Sequence, residues 1–465
     1  MSLPPILKGK LMFFDETAWD QADNILHKWK STLFTAATIQ RITTLLNHKN
    51  IPPLKLHPPQ KGSFNMILRL QFADTTSSII RLPIPGYSIF PFEKLTAEVQ
   101  TMTFLKETTP IPLPTIYKAS TDPIFGPYII MSYVEHSGDL VDALNTPSLP
   151  RSARPVLDPD IDERRLRAVY GQMGELLLHM CRRRFEAVGC ISKEKDQWLV
   201  RDRPLSINMN ELVQVGGVDR GDLPRGPFDS GAGYVLALAE LHMVHLARQR
   251  NDAVEDAGDC REKYIARCLF RRLAREGRLV GDDGSSGGFR LFCDDLRPAN
   301  VLADGDVVVA AIDWEFTYAA PAEFVCAPPC WLLLERPEYW VGGIDAWEEV
   351  YRGRLDDFLD ELRVREDEGI GLGLLSEEDR LSGKMRESWD SGDFWVSYAA
   401  RRSWAFDVVY WARIDRRFFG QGTLEDRVAL LTEQERDEMD EFVRRKIHEM
   451  EVRGLKSESG SPVEG

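Results

Sequence analysis

The sequence has no Cys-x-x-Cys pair. Its seven cysteines, Cys181, Cys190, Cys260, Cys268, Cys293, Cys326 and Cys330, are scattered and odd in number. That excludes a disulfide-framed secreted scaffold and a Cys-x-x-Cys zinc site, and it points to reduced thiols in a cytoplasmic or similar compartment. No uninterrupted apolar stretch is long enough to span a bilayer. The opening residues, Met1 to Glu16, contain two lysines but no arginine and no long apolar run, which argues against a secretory signal and a transit peptide. Basic charge is also short: 58 Lys and Arg against 73 Asp and Glu give a formal net charge of −15. A general attraction to nucleic acid or to an anionic membrane therefore has no support, and a cationic partner is easier to accommodate. Much of the excess comes from the run around Glu433 to Glu451, which reads as a solvated helix. No internal repeat is visible.

What remains is an ordinary globular composition, 43% apolar and 28% charged over 465 residues, without a break long enough to separate independent modules. Two lobes sharing one cleft are expected. Residues Trp19 to Asn47 carry Ile25, Leu26, Trp29, Leu33, Ile39, Ile42 and Leu45 at helical spacings, and the Pro-rich stretch Ile51 to Gln60 reads as a linker, so residues 1–60 form an N-terminal helical extension. Ser63 to Phe72 and Ser77 to Leu82 then read as a hairpin around the polar turn 73–76. Helical periodicity returns over Glu93 to Glu107, and Tyr128 to Val134 reads as a buried strand crossing out of a small lobe spanning 61–134. Beyond the Pro-, Arg- and Asp-rich loop Asn145 to Asp162, a larger lobe, 135–455, is mostly helical: Arg164 to Arg184, Gly233 to Asn251, Glu262 to Glu276, Trp347 to Glu366, Phe394 to Ile414 and Gln434 to Val452. Short strands Asn300 to Leu302 and Val307 to Ile312 flank an Asp-Gly turn. The Ser/Gly/Glu-rich tail 456–465 is expected to be disordered.

The most specific segment is Phe292-Cys293-Asp294-Asp295-Leu296-Arg297-Pro298-Ala299-Asn300, followed after the hairpin by Ile312-Asp313-Trp314-Glu315. Asp295 precedes Asn300 by five residues, the interval of kinase-type catalytic loops. Phosphoryl transfer needs one carboxylate to orient a hydroxyl and accept its proton, and an amide oxygen with a second carboxylate to hold Mg²⁺. Asp295 fits the first role, Asn300 and Asp313 the second. The adjacent Asp294 falls one residue out of register.

These residues resemble the aminoglycoside phosphotransferase and choline kinase-like family, whose loops read His-Gly-Asp-Leu-x-x-x-Asn and Ile-Asp-Trp-Glu, and in particular a fungal branch with a Cys-Asp-Asp-Leu-Arg-Pro loop. Cys293 and Asp294 stand where the wider pattern has His and Gly. The resemblance runs from about Gly62 to Gly420. It implies an α+β, bilobal protein-kinase-like fold with a small β-rich N-lobe and a large, mainly helical C-lobe. It also implies an ATP- and Mg²⁺-dependent transfer to a hydroxyl of a small molecule.

On this resemblance Lys61-Gly62-Ser63-Phe64-Asn65 corresponds to the nucleotide loop, with Gly62, Ser63 and Asn65 near the phosphates. Arg81 occupies the position of the kinase strand lysine and pairs with Glu98, although its planar fork differs from an ammonium. Met131 and Tyr133 lie on the hinge strand beside the adenine. A non-catalytic nucleotide-binding scaffold is the alternative, favoured by Cys293 and Arg81. A protein kinase is disfavoured, because Asp-Trp-Glu replaces Asp-Phe-Gly and no Ala-Pro-Glu segment follows. His242 and His245, three residues apart, read as packed rather than metal-binding, and the aromatic segment from Phe394 to Trp411 reads as core, with Arg401, Arg402 and Asp407 as possible neighbours of the substrate cleft. The segment 145–232 is expected to shape the acceptor pocket.

Overall fold

The computed structural model describes residues 11–150, 153–280, 288–305 and 307–453; the tail expected to be disordered lies outside them. The chain opens with helices α1 (Glu16–Leu33) and α2 (Ala36–Leu46), not one helix. The apolar period continues across the break, but Thr35 stops the first helix and caps the second, its hydroxyl accepting from the Thr38 amide at 3.3 Å. The Pro-rich stretch expected to be a linker carries two short strands, β1 (Pro53–Leu56) and β2 (Gln60–Lys61). Both pair antiparallel with β3 (Asn65–Phe72), which forms the expected hairpin with β4 (Ser77–Pro83). Helix α3 (Pro91–Thr108) follows, then β5 (Ile116–Asp122) and β6 (Gly126–Ser132). The six strands make one antiparallel sheet in the order β1-β3-β4-β6-β5, with β2 also on β3.

The large lobe contains β7 (Gly138–Asp139), α4 (Leu140–Leu144), α5 (Glu163–Cys181), β8 (Arg184–Phe185), the hairpin β9 (Cys190–Glu194) and β10 (Gln197–Asp202), and α6 (Ile207–Val215). Helices α7 (Gly231–Arg248) and α8 (Ala257–Arg275) lead to β11 (Phe289–Cys293), the hairpin β12 (Val301–Asp304) and β13 (Val307–Ala311), and β14 (Thr317–Ala320). The remainder is α9 (Ala322–Val325), α10 (Gly343–Gly371), α11 (Ser382–Ser391), α12 (Asp393–Arg401), α13 (Phe406–Val409), α14 (Asp415–Phe419), α15 (Leu424–Ala429) and α16 (Glu433–Val452). The aromatic helix expected over 394–414 is therefore broken after Arg401, and resumes at Phe406 through a π turn at Tyr410–Ile414. The architecture is α+β and bilobal, a sheet with the helix α3 inserted between its strands followed by a mainly helical lobe that carries the β12–β13 hairpin.

Two cores accompany the two lobes. Leu26, Leu33, Ile42, Leu68, Phe72 and Ile80 anchor the small one, in which α1 and α2 cover the sheet. The segment before α1 belongs to the other core, through Leu11 and Met12. Asp15 caps α1 and accepts from the Asn251 side chain at 2.9 Å, so the chain straps the lobes together. A second tie runs from Asn210, whose amide accepts from the Ile89 N–H and donates to the Tyr87 carbonyl at 2.9 and 2.8 Å. No helix among the described residues is long and apolar enough to cross a membrane.

His242 and His245 are fully buried. His245 Nε2 lies 2.7 Å from the Gln249 amide oxygen, and burial, reinforced by Arg267, pushes His242 down to about 3. Both are core histidines, as their spacing on an apolar face suggests. Asp407 does not approach the substrate cleft: it is buried against Arg267, whose two terminal nitrogens reach its oxygens at 2.5 and 3.0 Å. Removing one partner of such a pair strands the other charge. Asp407→Ala should lower the unfolding free energy by about 3–5 kcal/mol in urea denaturation; a loss below about 1 kcal/mol would contradict this reading.

Candidate functional site

Helix α3 buries Lys94, Ala97, Glu98, Thr101 and Leu105, so its inward stripe carries two charged residues one turn apart. Both face Arg81 or its partners. The Arg81 guanidinium, 5% exposed, touches Glu98 through Nη1, while Nη2 lies 2.5 Å from Glu315 and 3.0 Å from Asp313. Glu315 in turn accepts from Lys94 Nζ at 3.0 Å and from the Asn65 amide at 2.8 Å. The Asn65 amide oxygen accepts from Lys94 at 3.2 Å. Three carboxylates and two cations thus meet where β3, β4, α3 and the loop after β13 converge.

The charges stabilise one another only as a set. Burial pushes the Glu315 carboxyl upward, but Lys94 and Arg81 outweigh it and hold the group below the ordinary carboxylate range. Burial lowers the Lys94 ammonium, with Glu315 opposing. Burial also raises Glu98, to about 7, against the pull of Arg81. Asn65, expected beside the phosphates, has both ends of its amide engaged by Lys94 and Glu315 and acts as a crosslink between them. Lys94 and Glu315 themselves were not among the expected site residues. The available signal was a charged pair at 94 and 98 in phase with a buried helical stripe.

Asp313, in the loop just after β13, has φ of 63°, left-handed backbone that an Asp adopts more readily than a branched residue. Its side chain is 36% exposed and lines a cleft of about 250 Å³ between the lobes. Ile67, Ile79 and Met131 line this cleft from the small lobe and Leu302 and Ile312 from the large one, with Arg81 and Asp313 among its charged members. Apolar walls above and below suit a flat heterocycle. Tyr133 also lines it, but its backbone N–H is used by the Ser77 carbonyl at 3.1 Å, leaving its carbonyl and its ring, on which Arg69 stacks at 3.5 Å. Gly62 and Ser63 are exposed in the turn between β2 and β3, where the Gly62 N–H donates to the Asn65 carbonyl at 2.8 Å. Gly62 does not have positive φ, and a Cβ there would only touch that carbonyl at 3.5 Å, so the fold itself does not demand glycine.

The catalytic-loop candidates are held by the hairpin. The Asn300 carbonyl accepts from the Ile312 N–H at 2.9 Å, tying the end of the loop to the strand that delivers Asp313. Asn300 Nδ2 donates to the Asp295 carbonyl at 2.8 Å and to its carboxylate at 3.1 Å, leaving Oδ1 available as a hard ligand. Burial raises the Asp295 carboxyl above its ordinary 3.8; Arg297, 3.0 Å away, opposes this and Asp313 adds to it. Asp294 is engaged differently. Its carboxylate accepts from the Ile207 N–H at 3.2 Å and lies 3.4 and 3.7 Å from Arg401 and Arg402, so it pins α6 and the end of α12 to the loop. Cys293 closes β11 opposite Thr317, and burial pushes its thiol up to about 12, which makes it a packing group rather than a reactive one.

The donor set fits a magnesium ion: one free amide oxygen and one partly exposed carboxylate, with phosphates and water to complete the shell. No cluster of three or more His, Cys, Asp or Glu able to hold a metal alone occurs among the described residues. Arg81 Nε–H is buried and has no hydrogen-bond partner among the described residues.

No protein-family model matches this sequence, and no curated protein matches it. Among solved structures it is similar to a thermostable mutant of aminoglycoside phosphotransferase APH(4)-Ia in ternary complex with AMP-PNP and hygromycin B. That match has 14% identity and a TM-score of 0.42, over 80% of this chain and 99% of the other. It is also similar to the GDP complex of wild-type aminoglycoside 2′-phosphotransferase-IIIa, with 10% identity and a TM-score of 0.39, over 89% and 98%. These are distant likenesses, and they identify neither a substrate nor a site residue of this chain.

If Lys94 and Glu315 neutralise each other, their losses should not add. Lys94→Met should cost about 3 kcal/mol, and Lys94→Met with Glu315→Gln less than the sum of the two single changes, measured as a double-mutant cycle in denaturant. Additivity within about 0.5 kcal/mol would contradict the coupling.

Proposed function

We propose that this protein is a phosphotransferase that moves the γ-phosphoryl group of ATP to a hydroxyl of a small molecule. The observation that carries the reading is the Asp295–Asn300 pair, tied by the Asn300–Ile312 backbone bond to the segment carrying Asp313, whose carboxylate lines the interlobe cleft beside the Arg81–Glu98 pair. The base lies between the apolar walls, near Met131 and Tyr133. Arg81 and the turn at Gly62 and Ser63 approach the phosphates. A magnesium ion on Asn300 Oδ1 and an Asp313 oxygen would neutralise charge on the transferring group.

Asp295 orients the acceptor hydroxyl. As its oxygen forms the new bond to the γ-phosphorus, the bond from that phosphorus to the bridging oxygen breaks, the hydroxyl proton passes to the Asp295 carboxylate, and ADP leaves. Asp294, already used by two arginines and a backbone amide, keeps the loop in place. One observation favours the non-catalytic reading: Arg81 already contacts three carboxylates, so nucleotide could bind without productive alignment.

ADP release separates the two, with water as a slow acceptor. Asp295→Asn should reduce release by roughly 10²- to 10⁴-fold while nucleotide still binds; equal rates in both proteins would support the scaffold. The pH profile adds a second check. The base must be ionised, and its pKa is raised, so activity should fall as pH drops through a value above the ordinary 3.8. An acid limb at or below 3.8 would exclude Asp295 as the titrating base.

A further inference from the structure

A cavity of about 130 Å³ opens beside the catalytic loop, walled by α12, the Pro328–Leu334 turn and the end of β11. Its volume is close to that of an engineered cavity of about 150 Å³ that takes benzene. Its charge runs opposite to that of the whole chain: the charged lining residues are Arg297, Arg336, Arg401 and Arg402 against Asp294 and Asp295. The pairing among them is unequal. Arg297 lies 3.0 Å from Asp295, and Asp294 is taken by Arg401 and Arg402. Arg401 is further fixed by the Ser397 carbonyl at 3.1 Å and by stacking over Phe292 and Phe324.

Arg336 is different. Its guanidinium has no hydrogen bond and no ion pair within 4 Å among the described residues. The largest opposing charge is Glu338, whose carboxylate accepts from the Tyr398 hydroxyl at 2.6 Å. Glu211, on α6, faces the same region; burial raises it to about 7 despite Arg336 and Arg402, so at neutral pH it cancels only part of their charge. Arg402 adds a buried Nε–H without a partner. A cavity edged by an unpaired guanidinium and a spare guanidinium N–H is built to receive an anion.

We propose that the acceptor is a small alcohol bearing an anionic group, a carboxylate or a phosphate. Arg336 and Arg402 hold the anion, the apolar body packs on Phe324, Trp331 and Phe394, and the hydroxyl reaches Asp295. This rests on the phosphotransfer reading of Asp295. It departs from the cationic partner that net charge alone favours, because a polycation would meet four guanidinium groups here.

The test is isothermal titration of the full chain with Mg·ADP present, using benzoate, phenyl phosphate, benzyl alcohol and benzylamine as probes. Benzoate or phenyl phosphate, whichever source of negative charge fits, should bind at least about tenfold tighter than the alcohol and the amine. Arg336→Gln should weaken that binding roughly tenfold, Arg336→Lys should restore most of it, and Mg·ATP affinity of both variants should stay within about twofold. That last measurement also reports that the variants are folded. Benzylamine binding as well as benzoate, an unchanged anion affinity in Arg336→Gln, or no anion binding to a chain that still binds Mg·ATP would overturn the proposal alone. A chain that does not bind Mg·ATP would overturn the phosphotransfer reading and this proposal with it.

Discussion

A buried cluster of five charges governs how this protein is put together. Arg81 and Lys94 stand against Glu98, Glu315 and Asp313, four of the five almost wholly removed from water. Isolated, any one of the four buried groups would cost several kcal/mol; together each is set against an opposite charge, with the partly exposed Asp313 at the edge. The cluster draws on β4, α3 and the loop after β13, so the sheet, the helix and the large lobe must be in place before any charge is compensated. The site's geometry and the docking of the lobes are therefore one constraint.

The same logic explains the ties around the cluster. The Asn300–Ile312 backbone bond holds the Asp295–Asn300 loop to the hairpin that presents Asp313. Asp294, in contact with α6 and α12, fixes the other side of that loop and shapes the arginine-edged cavity next to it. Asp15 and Asn210 strap the small lobe to the large one away from the cleft. Adjacent aspartates thus do different work: one is surrounded by cations and the other faces the cavity and the amide of Asn300.

Much of this was legible in the sequence, for identifiable reasons. The five-residue interval separates Asp295 from Asp294, and the structure brings Asp295 and Asn300 into contact. The hairpin, α3 and most large-lobe helices follow from alternation and period. Strand β1 was not legible: its first three residues are exposed, so no alternation marks it, and only pairing with β3 makes it a strand. The break at Thr35 was masked by an apolar period that continues across it, and the break after Arg401 by a continuous aromatic texture. Lys94 and Glu315 were missed because a buried charge becomes intelligible only when its partners, distant in sequence, are known. The local charge of the arginine-edged cavity is invisible to a net count for the same reason.

The most direct test of the central claim is thermal stabilisation by ATP with and without Mg²⁺, comparing the native chain with Asp313→Ala. The account predicts a rise in melting temperature that depends on Mg²⁺ and is lost in the variant. Stabilisation that is absent at millimolar nucleotide, or that is equal in both proteins and indifferent to the metal, would contradict it.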